Sequence, residues 1–156
     1  MPFPRLVRLV DRWAGERGVE VFAQTGDPAF QALHITAVPW LRPDAFRQHL
    51  AQAEAVIAHA GMGSILSALE LGKPLLVMPR LGRLAETRND HQVATAQRFA
   101  ERGWVRVAYD ERDFAREADA LLLRGGEAVQ VPAVASRELL HRIRSFVLSS
   151  SEENDE

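Results

Sequence analysis

Residues 55–79, AVIAHAGMGSILSALELGKPLLVMP, decide how the chain folds. The stretch opens on a short apolar run, 55–58, which reads as a buried strand. A glycine-rich turn follows, His59-Ala60-Gly61-Met62-Gly63-Ser64. Residues 64–71 then read as a helix with Ile65, Ala68 and Leu69 facing inward. Gly72 closes that helix, and 74–78 is the next buried strand. Strand, turn, helix, strand is a β-α-β unit, whose two strands lie parallel.

The same alternation extends outward in both directions. Leu6, Leu9, Val10 and Trp13 recur at helical spacing, so 4–17 is predicted to be an amphipathic helix ended by Gly18. Strands are expected over 19–24 and 33–38, the second stopped by Pro39. Pro43 sits where a first helical turn needs no N–H, and predicts a helix to Gln52. Beyond the opening stretch, Asn89 or Asp90 can cap a helix that runs to Arg102 and ends at Gly103. Residues 104–108 read as a strand, and Phe114, Ala118, Leu121 and Leu122 mark another helix. Leu139, Leu140, Ile143 and Val147 give a last one. Residues 1–148 are therefore expected to form one α/β domain with a doubly wound parallel sheet, and the acidic 149–156 a disordered tail.

The composition agrees with such a domain and narrows its partners. With 156 residues, 47% of them hydrophobic, the chain can bury a single core. A net charge of -2 gives no electrostatic footprint for nucleic acid. No apolar run is long enough to span a membrane, and nothing at the start is organised like a signal peptide. Zero cysteines exclude disulfides and thiolate metal sites, and fit a cytoplasmic setting.

In doubly wound sheets, ligands bind beyond the carboxyl ends of the strands. Two strand-to-helix connections there carry unusual chemistry. In the first, Gly61 and Gly63 allow close backbone approach, and the new helix offers free N–H groups and a positive dipole end, suited to a diphosphate. Ser64 adds a hydroxyl, and His59, at the strand end, has the only local pKa suited to proton transfer. In the second, Glu86-Thr87-Arg88-Asn89-Asp90-His91-Gln92 packs mixed donors and acceptors suited to sugar hydroxyls. Taken singly, the first is also a plain turn and the second a capped, solvated helix start. The fold brings them side by side.

These residues resemble the C-terminal domain of family-28 glycosyltransferases, one half of the two-domain GT-B fold. The likeness is carried by His59 to Ser64, by Leu71-Gly72-Lys73-Pro74-Leu75-Leu76-Val77-Met78-Pro79 and by Asn89-Asp90-His91-Gln92. Among family members it runs towards the small subunit of two-piece UDP-N-acetylglucosamine transferases and towards bacterial exopolysaccharide relatives. The resemblance implies that Gly61, Met62, Gly63 and Ser64 meet the donor diphosphate, with His59 beside them. It implies that His91 and Gln92 contact the sugar, while Glu86, Asn89 and Asp90 line the same loop.

The implied partners are a UDP-sugar donor, a membrane-anchored acceptor-binding subunit and a lipid-linked sugar acceptor. Such a partner would hold the chain on the inner face of the membrane. No metal and no cofactor are expected, since no Asp-x-Asp pair lies near the turn. A non-catalytic nucleotide-sugar-binding or regulatory subunit of a polysaccharide-synthesis complex is the other role these residues fit.

Two positions depart from the family pattern. Ser67 stands where many relatives carry a glutamate that holds the ribose. Relatives also begin with a strand and a glycine turn ahead of the first helix. In a 3-2-1-4-5-6 sheet that strand is central, so a gap is expected between 19–24 and 55–58. An incomplete sheet of this kind is expected to be unstable or to pair its open edges, unless the flanking strands close up.

Overall fold

A computed structural model describes residues 1–123. The last predicted helix and the acidic tail lie outside them. The elements run α1 (Pro4–Arg17), β1 (Phe22–Gln24), β2 (Thr36–Val38), α2 (Pro43–Gln52), β3 (Val56–His59), α3 (Met62–Glu70), β4 (Leu75–Met78), α4 (His91–Glu101), β5 (Arg106–Val107) and α5 (Glu111–Leu123). A short 3-10 turn, Gly82–Leu84, sits between β4 and α4. Every strand pairing is parallel, so this is the Rossmann-like arrangement expected from the alternation.

The helices end where the chemistry places their stops. Pro4 and Pro43 open α1 and α2 in the first turn. Gly18 leaves α1 with φ +63°, a left-handed conformation that a β-carbon would disfavour. α3 starts two residues earlier than predicted, at Met62, with Gly61 as its N-cap. Ser64 is thus inside the first turn rather than at its boundary.

The sheet is divided in two. β2 and β1 form one pair, and β3, β4 and β5 form a three-stranded sheet in that order. The division falls where the central strand was expected to be missing: β1 and β3 have not closed up. Among the described residues neither gains a second neighbour. The arrangement is tolerable because those edges are not deeply buried. Phe22 and Gln24 are exposed and all of β3 is half-buried, so water can satisfy unpaired backbone groups there.

α1 spans the division. Its Leu6, Leu9, Val10 and Trp13 share one core with Val21, Ala23 and Ile35 on one side and Ile57, Leu76 and Met78 on the other. Each such buried side chain is worth about 1.5–3 kcal/mol, so α1 is the main tie between the two sheets. The opposite face of the three-stranded sheet packs Val56, Ala58, Leu75 and Val77 against Ile65 and Ala68 of α3 and Ala96 and Phe99 of α4. The alternation puts Ile57, His59, Leu76 and Met78 on the α1 face.

β2 is shorter than predicted because Asp11 of α1 takes its first residues. The buried Asp11 carboxylate accepts the N–H groups of Leu33, His34 and Ile35 at 2.8–3.1 Å. Those groups are unavailable to a strand ladder, so pairing begins at Thr36.

Candidate functional site

The carboxyl ends of β3 and β4 are in register, with His59 opposite Met78 and the Ala60 N–H bonded to the Met78 carbonyl. This brings the glycine turn against the connection after β4, as the topology required. Gly61 and Gly63 serve different ends there. A β-carbon at Gly61 would fall on the His59 ring, so this glycine makes room for the imidazole. A β-carbon at Gly63 would meet nothing within 4 Å, and Gly63 has no positive φ. Neither packing nor conformation asks for glycine at 63, inside a helix, where glycine costs about 1 kcal/mol against alanine.

Among the described residues no side chain caps α3, which leaves the N–H groups of its first turn open around Met62, Gly63 and Ser64. Met62 also packs onto the core under α3. Ser67 lies half-buried one turn further along the helix.

His59 carries the orphan atom of the site. Its Nδ1 is buried without a hydrogen-bond partner, alone in this respect among the side chains of the described residues. Buried polar atoms are nearly always paired, so such an atom marks a place for a ligand or water contact. Burial, then the charge of Arg80, push the imidazole below the ordinary histidine range. The Gln92 side chain acts the other way, and the chain's amino terminus adds to the lowering.

His59 is therefore expected to titrate, by NMR, below about 6.5. A depressed histidine pKa stabilises the fold above the unfolded value. That contribution is lost as pH falls from about 6.5 through the lower folded-state value. A ring titrating at or above 6.5 would contradict the environment described.

The second constellation is divided between surface and interior. His91 is exposed, and Asn89 Oδ1 accepts from its backbone N–H at 3.4 Å and also meets its Nδ1. Gln92 turns inward, 7% exposed, and its Oε1 accepts the Arg80 N–H at 3.2 Å. Asp90 stands at the N-cap of α4 but does not cap it; its Oδ1 instead takes the Gly82 N–H at 2.7 Å.

Glu86 is engaged within the protein. Its carboxylate receives Arg5 Nε and Nη2, both at 2.7 Å, and the Leu81 N–H at 2.9 Å. Burial raises the Glu86 carboxyl, but Arg5, the Leu81 N–H and Arg80 outweigh it and hold it below the carboxylate range. Glu86, like Asp90, shapes this loop through bonds already made.

Arg80 is the residue that sequence reasoning passed over, as part of a polar connection. It is only 6% exposed. The signal was the alternation Leu76, Met78, Arg80, which puts it on the α1 face two residues past Met78. Its guanidinium donates to the carbonyls of Met1 at 2.6 Å and Pro2 at 3.0 Å, and lies over the Phe3 ring. Among the described residues no three His, Asp or Glu side chains gather as metal ligands, and no helix is long and apolar enough to cross a membrane.

A parallel sheet with a glycine turn, an open helix end and a polar loop at adjoining strand ends defines a Rossmann-like α/β domain. Residues 2–117 match the Glycosyltransferase family 28 C-terminal domain, and the chain belongs to that family. Over 60 residues it is 40% identical to UDP-N-acetylglucosamine transferase subunit ALG13 of Mus musculus. That match covers 38% of this chain and 5% of the relative's length. The fold is also that of a solved structure, the glycotransferase of kitacinnamycin, with a TM-score of 0.58 and 22% identity. The likeness covers 92% of this chain and 35% of that one.

Proposed function

We propose that the chain is the donor-binding half of a glycosyltransferase that uses a UDP-sugar. The observation that carries this reading is Gly63, a glycine in a helical first turn with open space where its side chain would be. The diphosphate lies against that backbone, held by the N–H groups of the α3 start and the Ser64 hydroxyl. The helix dipole and these donors stabilise the charge that develops on the diphosphate as the sugar departs. His59 Nδ1 finds its missing partner in the same ligand, and His91, oriented by Asn89, meets the sugar from the exposed start of α4, while the inward-turned Gln92 offers its side-chain amide N–H groups from beneath. Ser67 is placed to reach a ribose hydroxyl.

The acceptor is lipid-linked and is held by a separate, membrane-anchored subunit at the cytoplasmic face. Membership of a C-terminal-domain family supports a divided enzyme, as does a relative that is itself named a transferase subunit. The general base for the acceptor hydroxyl then comes mainly from the partner, with His59 as the local proton acceptor. The purified chain alone is expected to transfer little or no sugar. Robust turnover on a lipid-linked acceptor without a partner would overturn the division of labour.

Calorimetry with UDP and a UDP-sugar tests the donor site itself. Gln92→Ala is expected to weaken the UDP-sugar by about 0.5–1.5 kcal/mol and to leave UDP nearly unchanged. Equal losses for both ligands would move Gln92 from the sugar to the nucleotide. No binding of either ligand by the unaltered chain would end the reading.

A further inference from the structure

The start of α1 is fastened to the loop after β4 by a small buried charge cluster. Arg5 pairs with Glu86 and also donates to the Pro79 carbonyl at 3.1 Å. Among the described residues Arg80 has no such pair. Its guanidinium hydrogen bonds go to main-chain carbonyls: Met1, Pro2 and, at 3.5 Å, Glu86. Both arginines also lie over the Phe3 ring, at 5.2 Å and 4.9 Å. Two guanidinium groups thus share the Glu86 carboxylate, and among the described residues no second anion balances the buried charge of Arg80. A buried charge in that condition is costly, and a bound anion is the usual compensation.

The place of that charge matters. Arg80 follows Met78 on the face that also carries His59, and its charge is felt at the His59 ring. Burial lowers the guanidinium from its ordinary range against the pull of Glu86, as an under-compensated cation should behave. The Arg80 backbone N–H donates to Gln92, so one residue bonds to the second constellation and acts by its charge on the first.

We propose that Arg80 is a positioning residue of the donor site whose buried, unbalanced charge makes that site select a diphosphate over an uncharged nucleoside. It acts from beneath the turn, through the field at His59 and the α3 start, while its bonds to Met1 and Pro2 keep it from swinging to solvent. The proposal rests on the UDP-sugar reading above. It goes further in assigning charge selection to a residue outside both motifs.

The test compares UDP with uridine, by chemical-shift titration at fixed ionic strength, in the unaltered chain, Arg80→Met and Arg80→Lys. Arg80→Met is expected to lose UDP affinity by on the order of tenfold, about 1.4 kcal/mol, with uridine affinity unchanged. Arg80→Lys keeps the charge and should recover most of the loss. Equal losses for UDP and uridine would reduce Arg80 to a structural brace, and an unaltered UDP affinity in folded Arg80→Met would also overturn the proposal.

Should the variants fail to fold, the guanidinium resonances of Arg80 in the unaltered chain decide. They should move with UDP and stay with uridine, and no movement with UDP overturns the proposal. Absence of UDP binding by the unaltered chain is a different failure. It removes the donor-site reading and this proposal with it.

Discussion

Gly63→Val should weaken UDP binding by roughly a hundredfold while leaving the domain folded. The substitution puts a branched side chain into space that is open above the first turn of α3. On the donor reading, that space belongs to the diphosphate. Two charge-assisted N–H bonds lost there, at about 1.5 kcal/mol or more each, amount to a fall in affinity of roughly a hundredfold. The fold has little reason to object, because valine is no worse a helix former than glycine and a β-carbon at 63 meets nothing within 4 Å among the described residues.

Gly61→Ala makes the contrasting case. Its β-carbon collides with the His59 ring, so that variant should displace the imidazole and disturb the fold locally. Calorimetry and thermal melts on the two variants separate a glycine kept for a ligand from one kept for packing. A folded Gly63→Val protein with the UDP affinity of the parent would remove the turn from the donor site.

The contrast between the two glycines also marks how far the sequence could be read. Prolines and left-handed glycines are local signals, and they gave α1 both of its observed limits, Pro4–Arg17, and α2 its start at Pro43. The α-β alternation was enough to place the glycine turn beside the loop after β4. The division between β1 and β3 was expected only from the family resemblance, whose members begin with a further strand.

What escaped were interactions between residues far apart in sequence. The helix was expected to start at Ser64, because nothing in the turn itself reveals that it already starts at Met62. Glu86 and Asp90 read as ligand-facing carboxylates, yet their oxygens are taken by Arg5, Leu81 and Gly82. Arg80 was passed over within a polar connection because its partners, the carbonyls of Met1 and Pro2, are backbone groups far away in sequence. A hydropathy pattern records which side chains prefer burial. It has no entry for a charge buried against main chain.

Asp11 is the other such residue, and its removal should cost the fold more than any other single change considered. The carboxylate sits buried at the middle of α1 and holds the N–H groups of Leu33, His34 and Ile35. Asp11→Ala strands three backbone donors at the entrance to β2. Hydrogen bonds to a charged acceptor are worth about 1.5–3 kcal/mol each, and stranded donors in a closed site add their own desolvation cost. Neighbouring losses do not add fully, so a fall of about 3–5 kcal/mol is expected, against a typical stability of about 5–15 kcal/mol.

Asp11→Asn should lose much less, since an amide oxygen at the Oδ1 position can still accept all three donors. The pH dependence supplies a second signature. Burial raises the Asp11 carboxyl, but the N–H groups of His34, Leu33 and Ile35 outweigh it and hold it below the ordinary aspartate range. A lowered carboxyl pKa gives stability that is full above about pH 3.9 and lost as pH falls through the folded-state value. The difference between parent and Asp11→Ala, measured by urea denaturation, should therefore shrink towards pH 3. UDP affinity of the folded variant should stay near the parent's, because Asp11 serves the β1–β2 connection and not the glycine turn. A variant within about 1 kcal/mol of the parent at neutral pH would show that this connection finds its backbone partners without the carboxylate.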